Sequence, residues 1–131
     1  EYPEYISTLA ISPNDSQLIF AGTGNGIYKS NDMGTTWNHI AYEGLTVYAM
    51  NFDDQGILFA SVDTFGLVRS DDLGVTWEDL PDIDLTVTSI AFDSPNKILY
   101  VSGFSSGGYQ EVYKLYYDVS SYEIIGTNKG L

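Results

Sequence analysis

Cysteine is absent from this chain and histidine occurs once. The first absence excludes a disulfide framework, a thiolate nucleophile and a Cys-ligated zinc site. Cations are scarce as well: 5 Lys and Arg stand against 18 Asp and Glu, for a formal net charge of −13. Phosphate recognition needs clustered cations that displace counterions, so nucleic acid is a poor partner, and an anionic membrane surface is disfavoured for the same reason. No run of about 18 apolar residues occurs, so no transmembrane helix and no direct membrane insertion is expected. The chain opens on EYPEYIST, without Met or an apolar targeting segment, and reads as a mature or excised piece.

Helical periodicity is missing too. No segment repeats apolar residues at i, i+3, i+4 and i+7 for long enough to make a helix. What is present is 44% hydrophobic and 15% aromatic across 131 residues, enough apolar character for a packed fold rather than a disordered chain.

The sequence repeats. SNDMGTTW at Ser30–Trp37 returns as SDDLGVTW at Ser70–Trp77, a shift of 40. Upstream of each octet lies an apolar run, and a third copy follows: Ile6/Leu9/Ile11, Val47/Met50/Phe52 and Val87/Ile90/Phe92 correspond. Each unit continues through a polar turn to a second run (Gln17–Gly22, Ile57–Ser61, Ile98–Gly103) and then a third (Gly26–Ser30, Gly66–Ser70, Glu111–Tyr117). A fourth run closes each unit at Thr35–Ile40, Val75–Leu80 and Ser120–Ile125. These runs are short, β-branched or aromatic, and bounded by Asn, Asp, Gly and Pro, which predicts antiparallel strands joined by hairpins. Four strands, A to D, per unit of about 40 residues is the arrangement of propeller blades. The expected fold is therefore all-β, with three four-stranded antiparallel blades at 6–45, 46–85 and 86–131. The third unit has diverged: Leu115–Tyr122 reads LYYDVSSY, and Tyr122 takes the place of Trp37 and Trp77.

The octet S-x-D-x-G-x-T-W resembles the Asp-box, or bacterial neuraminidase repeat. That repeat occurs in sialidase-like propellers, some xyloglucan hydrolases, sortilin-like receptors and photosystem-assembly-factor-like propellers. Local chemistry suits such a turn. Asp32 and Asp72 can accept hydrogen bonds from the turn's own amides, and Gly34 and Gly74 can take positive φ. Ser30, Ser70, Thr36 and Thr76 can offer hydroxyls to the same turn, while Trp37 and Trp77 are each expected to bury a ring between sheets. The resemblance implies a structural role for these residues, on the face opposite any site.

Strand order agrees, because A–B and C–D hairpins share one end of a blade while B–C loops and blade-to-blade linkers share the other. The candidate ligand face thus carries Asn25, Asp63, Phe65, Phe104 and Tyr109 on B–C loops, and Tyr42, Glu43, Asp82 and Asp84 on linkers. Tyr42 and Phe65 could stack on a sugar ring, with Glu43 or Asp63 accepting from its hydroxyls; the alternative is that the aromatics pack against adjacent blades. Asp79, Asp82 and Asp84 form the densest acidic cluster, but their spacing does not match an EF-hand loop, and no metal or cofactor is expected. His39 reads as a solvated strand residue.

A sialidase would need an arginine triad, and Arg69 is the chain's single arginine. A xyloglucanase-like hydrolase needs two carboxylates across a cleft, and none is singled out by sequence. The reading is a non-catalytic module for protein or glycan interaction, exported as the resemblance implies. Its alternatives are a fragment of a xyloglucanase-like glycoside hydrolase, and a building block assembled through open blade faces. Three blades fall short of a closed propeller, so further blades of a parent chain or a homo-oligomer are the expected completion.

Overall fold

A computed structural model describes residues 5–116 and 121–127. It contains three four-stranded antiparallel sheets. The first runs β1 (Ile6–Ile11), β2 (Ile19–Thr23), β3 (Gly26–Ser30) and β4 (Asn38–Ala41); the second runs β5 (Val47–Phe52), β6 (Leu58–Val62), β7 (Gly66–Ser70) and β8 (Glu78–Asp79). The third runs β9 (Thr86–Asp93), β10 (Ile98–Phe104), β11 (Gln110–Tyr116) and β12 (Ser121–Thr127). Each sheet follows chain order, so every connection within it is a hairpin, as the turn residues between the apolar runs require. The described residues hold one short 3-10 turn, Ser94–Asn96, and no α-helix.

Alternation along the strands determines the packing. The first sheet turns Ala10, Phe20 and Ile27 toward Val47, Met50 and Phe52 of the second, with Phe20 and Phe52 edge to face at 5.4 Å. The second sheet turns Ala49, Phe59 and Leu67 toward Val87 and Ile90 of the third, and Phe59 meets Phe92 at 5.1 Å. The middle sheet is covered on both faces, which is why LFASV along β6 is buried at every position. Burying a phenylalanine this completely contributes roughly 1.5–3 kcal/mol. The first strands of successive sheets lie side by side, β1 beside β5 and β5 beside β9. Polar groups pin them there: Met50 N–H donates to Thr8 Oγ1 at 3.2 Å, and Asn51 Nδ2 donates to the Ile90 carbonyl at 3.2 Å.

The octets form the third-to-fourth-strand turns, and they are built alike. Ser30 Oγ donates to Asp32 Oδ1 at 2.8 Å and accepts the Gly34 N–H at 2.8 Å. Thr36 gives Asp32 both its N–H, to Oδ1 at 2.8 Å, and its hydroxyl, to Oδ2. Ser70, Asp72, Gly74 and Thr76 repeat these bonds. Both glycines have positive φ, +88 at Gly34 and +87 at Gly74. The turn is wider than the sequence suggests: Thr35–Trp37 and Val75–Trp77 stay outside the fourth strands, which begin at Asn38 and Glu78. Thr36 and Thr76 have committed their amides to an aspartate and have none left for the ladder.

The expectation of two equally buried tryptophans needs correction. Trp77 is half-buried against the first sheet, whereas Trp37 is 39% exposed, its indole N–H donating to the Gly34 carbonyl at 3.1 Å. The second octet has a sheet in front of it and the first has none among the described residues. Positions 117–120, the Tyr122 side chain and Leu131 lie outside the described residues, so the substitution of Tyr122 for tryptophan does too.

Candidate functional site

The second-to-third-strand loops and the sheet-to-sheet linkers gather at the end of the sheets opposite the octets. Between the second and third sheets they enclose a cavity of about 340 Å³. Its floor and walls come from the β6–β7 loop (Asp63, Thr64), the β8–β9 linker (Asp82–Leu85) with Thr86 of β9, and Phe104 of β10 with Ser105 and Ser106 of the loop after it. A second cavity of about 290 Å³ adjoins it, lined by Phe65, Asp79, Pro81 and Asp82 among others. Thr64, Gly66, Asp82 and Ile83 line both, so the two form lobes of one groove. An exposed aromatic marks each lobe: Phe65 in the smaller and Phe104 in the larger. Among the described residues no Lys, Arg or His lines either lobe.

Local bonding sorts the acidic residues. Asp84 is committed to the far wall: the Ser106 N–H donates to its Oδ1 at 3.1 Å and the Ser106 hydroxyl to its Oδ2 at 2.6 Å. It fixes the β10–β11 loop at Ser106; Phe104, expected on that loop, is the last residue of β10 and pairs with Thr86 and Gln110. Asp63 and Asp82 are exposed on the groove. Tyr48 on β5 lines the larger lobe, and its hydroxyl is pushed up from the ordinary tyrosine value by burial, then by the negative charge of Asp63 and by Tyr5. Among the described residues no three His, Asp or Glu side chains converge to hold a metal.

Tyr42 sits behind Phe65, not in the groove. Its ring meets Phe65 edge-on at 5.3 Å and Trp77 at 5.7 Å, and its backbone has a φ of 58. Burial, with the Asp79 charge, pushes its hydroxyl up to about 12. Tyr42 is therefore a packed support for Phe65, as the alternative reading of the aromatics had it.

Of the nine residues expected on this face, five line the groove: Asp63, Phe65, Asp82, Asp84 and Phe104. Asn25 is a clasp between loop and linker instead. Its Oδ1 accepts the Gly44 N–H at 2.6 Å, and its carbonyl lies 3.1 Å from His39 Nε2. Glu43 is exposed on the first linker and lines neither lobe, and the Tyr109 carbonyl accepts from Ser105 to close its own loop. Sequence reasoning missed Tyr48, Ser105 and Ser106. Tyr48 neighbours Val47 in a strand read only for its buried face, so its alternation was the available signal. Nothing local announced that Ser106 meets Asp84.

Comparisons with known proteins place these sheets among propellers. No family model matches the chain. A 50-residue stretch is 42% identical to the xyloglucanase Xgh74A of Acetivibrio thermocellus, covering 34% of this chain and 6% of that protein. The whole fold superposes on the GH74 enzyme of Niastella koreensis with a TM-score of 0.77 at 26% identity, covering 93% of this chain and 21% of that one. It superposes on YCF48 from Cyanidioschyzon merolae with a TM-score of 0.71 at 16% identity, covering 95% of this chain and 38% of that one. An extracellular domain from B. thetaiotaomicron gives 0.68 at 16% identity, covering 95% and 17%. The chain thus spans a small part of each relative, and its three sheets correspond to propeller blades. No helix among the described residues is long and apolar enough to cross a membrane.

Proposed function

We propose that this segment binds a neutral glycan chain of the xyloglucan type, as part of a propeller similar to the xyloglucan hydrolases. One observation carries the reading: a two-lobed groove with a solvent-facing phenylalanine in each lobe, exposed carboxylates beside them and no cation among its described lining residues. Aromatic faces stack on the apolar faces of sugar rings, and carboxylates accept from sugar hydroxyls, so a few directed polar groups on an apolar wall suffice for recognition. A groove whose described lining holds carboxylates and no Lys or Arg repels anionic ligands, which argues against sialosides and phosphorylated sugars. Similarity to Xgh74A and to the GH74 enzyme supports the choice of glucan.

In this reading Phe65 and Phe104 are the platforms, Asp63 and Asp82 the hydroxyl acceptors, and Asp84 and Tyr42 the supports. The octets are Asp-boxes, clasps at the far end of the blades, and the protein is exported. Hydrolysis requires a carboxylate pair facing one glycosidic bond. Asp63, Asp79 and Asp82 are the exposed carboxylates outside the Ser106 clasp that this segment brings to such a cleft.

Titration calorimetry with xyloglucan oligosaccharides tests the proposal. Binding is expected, with Phe65→Ala and Phe104→Ala each weakening it about tenfold, the equivalent of ~1.4 kcal/mol. Absence of heat with every neutral glucan, or binding indifferent to both substitutions, overturns it. Release of reducing ends in the same samples distinguishes a hydrolase segment from a binding module.

A further inference from the structure

The β6–β7 loop holds a residue in a backbone conformation that its side chain disfavours. Thr64 has a φ of 72, and it is the one β-branched residue among the five described non-glycine residues with positive φ. Glycine and asparagine take the left-handed region readily in turns, whereas branching at Cβ makes it costly. Strain of this kind persists where the side chain has a task beyond the turn.

The matching loop of the first sheet shows what Thr64 accompanies. There Gly24 and Asn25 separate the paired Thr23 and Gly26, whereas Asp63, Thr64 and Phe65 separate Val62 and Gly66. The shorter loop is shut against its linker. The Gly26 N–H donates to the Leu45 carbonyl at 2.7 Å, and a Cβ on Gly26 would stand 2.6 Å from the Tyr42 carbonyl oxygen. A Cβ on Gly66 would meet nothing within 4 Å, so the longer loop leaves open the space that the first linker fills. That space is the junction of the two lobes, and Thr64 lines both of them. Thr64 is exposed, and among the described residues its hydroxyl has no hydrogen-bond partner.

We propose that Thr64 contacts the glycan where the chain crosses from one lobe to the other, its hydroxyl bonding to a sugar hydroxyl and its methyl packing on the ring. This rests on the glycan reading of the groove and adds to it a binding residue at the crossing point. A threonine hydroxyl both donates and accepts, so it suits a sugar hydroxyl in either orientation. Glycine would ease the turn and leave the junction without that bond.

Titration calorimetry with a xyloglucan oligosaccharide, run beside thermal unfolding, tests the assignment. Thr64→Gly should raise the melting temperature by roughly 2–4 °C, because the backbone strain is released. The same variant should bind about fivefold more weakly, the loss of one hydrogen bond. Thr64→Ser keeps the hydroxyl and should bind as the parent does. With Phe65 already changed to alanine, Thr64→Gly should still weaken binding, whereas a residue that only aims Phe65 would have no further effect. The assignment is overturned, with the glycan reading left standing, if Thr64→Gly binds like the parent or melts lower. It is overturned in the same way if Thr64→Ser binds as weakly as Thr64→Gly, or if the loss vanishes in the Phe65→Ala chain. A parent chain that binds no neutral glucan overturns both.

Discussion

The buried hydroxyl of Ser70 accepts the N–H of Gly74 at 2.8 Å, and in doing so holds the second octet closed beneath the first sheet. The same oxygen donates to Asp72 Oδ1 at 2.8 Å, so one side chain serves two partners. Replacing Ser70 by alanine leaves a buried N–H without an acceptor, a loss of roughly 2 kcal/mol. Urea unfolding should show the midpoint falling with an unchanged slope. Ser30→Ala should cost less, because the Gly34 N–H in the uncovered first octet can turn to water.

Gly34 and Gly74 share a backbone conformation and differ in surroundings. A Cβ on Gly74 would stand 2.7 Å from Ile40 Cδ1 and 3.2 Å from Phe20 Cε1, whereas on Gly34 its nearest neighbour is Trp37 Cζ2 at 3.7 Å. Both alanine variants carry the left-handed strain, about 1–2 kcal/mol. Gly74→Ala adds overpacking of roughly 1–3 kcal/mol, so its unfolding midpoint should fall further. Equal losses in the two variants would contradict the packing of the second octet against the first sheet.

The contrast between those glycines shows what a repeat reveals and what it conceals. Period, strand order and the two octets were legible because each depends on residues within about one unit, and turn chemistry is local. Trp37 and Trp77 hold the same place in matching octets, yet their burial differs because, among the described residues, a neighbouring sheet covers only one of them. Both fourth strands begin just after the tryptophan, because Thr36 and Thr76 give their amides to Asp32 and Asp72. At the groove, Asp63, Phe65 and Asp82 were legible from loop and linker position alone, and Phe104, read as a loop residue, lines it from the end of β10. The Asp84–Ser106 clasp was not, since it joins a linker to a loop 22 residues away. Asn25 misled for the converse reason: a polar loop residue looks available until its Gly44 partner is known.

Acid should open the octets. Hydrogen bonds from the Thr36 hydroxyl and N–H, and then from Ser30, lower Asp32 from 3.8 to about 2; Thr76 and Ser70 do the same for Asp72. A folded-state value below the unfolded one means the unfolded chain takes up protons first as pH falls. The octets' contribution is therefore complete above the unfolded value of 3.8 and is lost progressively as pH falls through about 2. Melting temperature should decline across that window. A variant with Asp32→Asn and Asp72→Asn should start lower at neutral pH and show a shallower acid decline.

Alkali acts on Tyr42 with the opposite sense. Burial of its hydroxyl, and then the Asp79 charge, raise it from 10.0 to about 12. The unfolded chain loses this proton first, so the contribution is intact below pH 10.0 and disappears as pH rises through about 12. Tyr42→Phe keeps the ring contacts with Phe65 and Trp77 and removes the ionisation. It should melt like the parent at neutral pH and hold its melting temperature better through the alkaline window.

Asp84 separates a positioning role from direct recognition. Both of its oxygens accept from Ser106, on the loop that follows Phe104, so its expected role is to hold that loop. Asp84→Ala frees that loop and should weaken xyloglucan oligosaccharide binding several-fold, because part of the binding free energy must then order the groove wall beside Phe104. Asp84 is exposed, so the melting temperature should change little. Asp84→Asn retains one acceptor for the Ser106 N–H and should recover part of the affinity, which Ser106→Ala, keeping the backbone donor, should match. Asp63→Asn provides the contrast: it changes an acceptor on the groove itself, so its loss should depend on which sugar hydroxyls the oligosaccharide carries, while the Asp84 variants should weaken every oligosaccharide alike. An Asp84 loss that varies with the hydroxyl pattern would place this carboxylate on the ligand rather than behind Phe104.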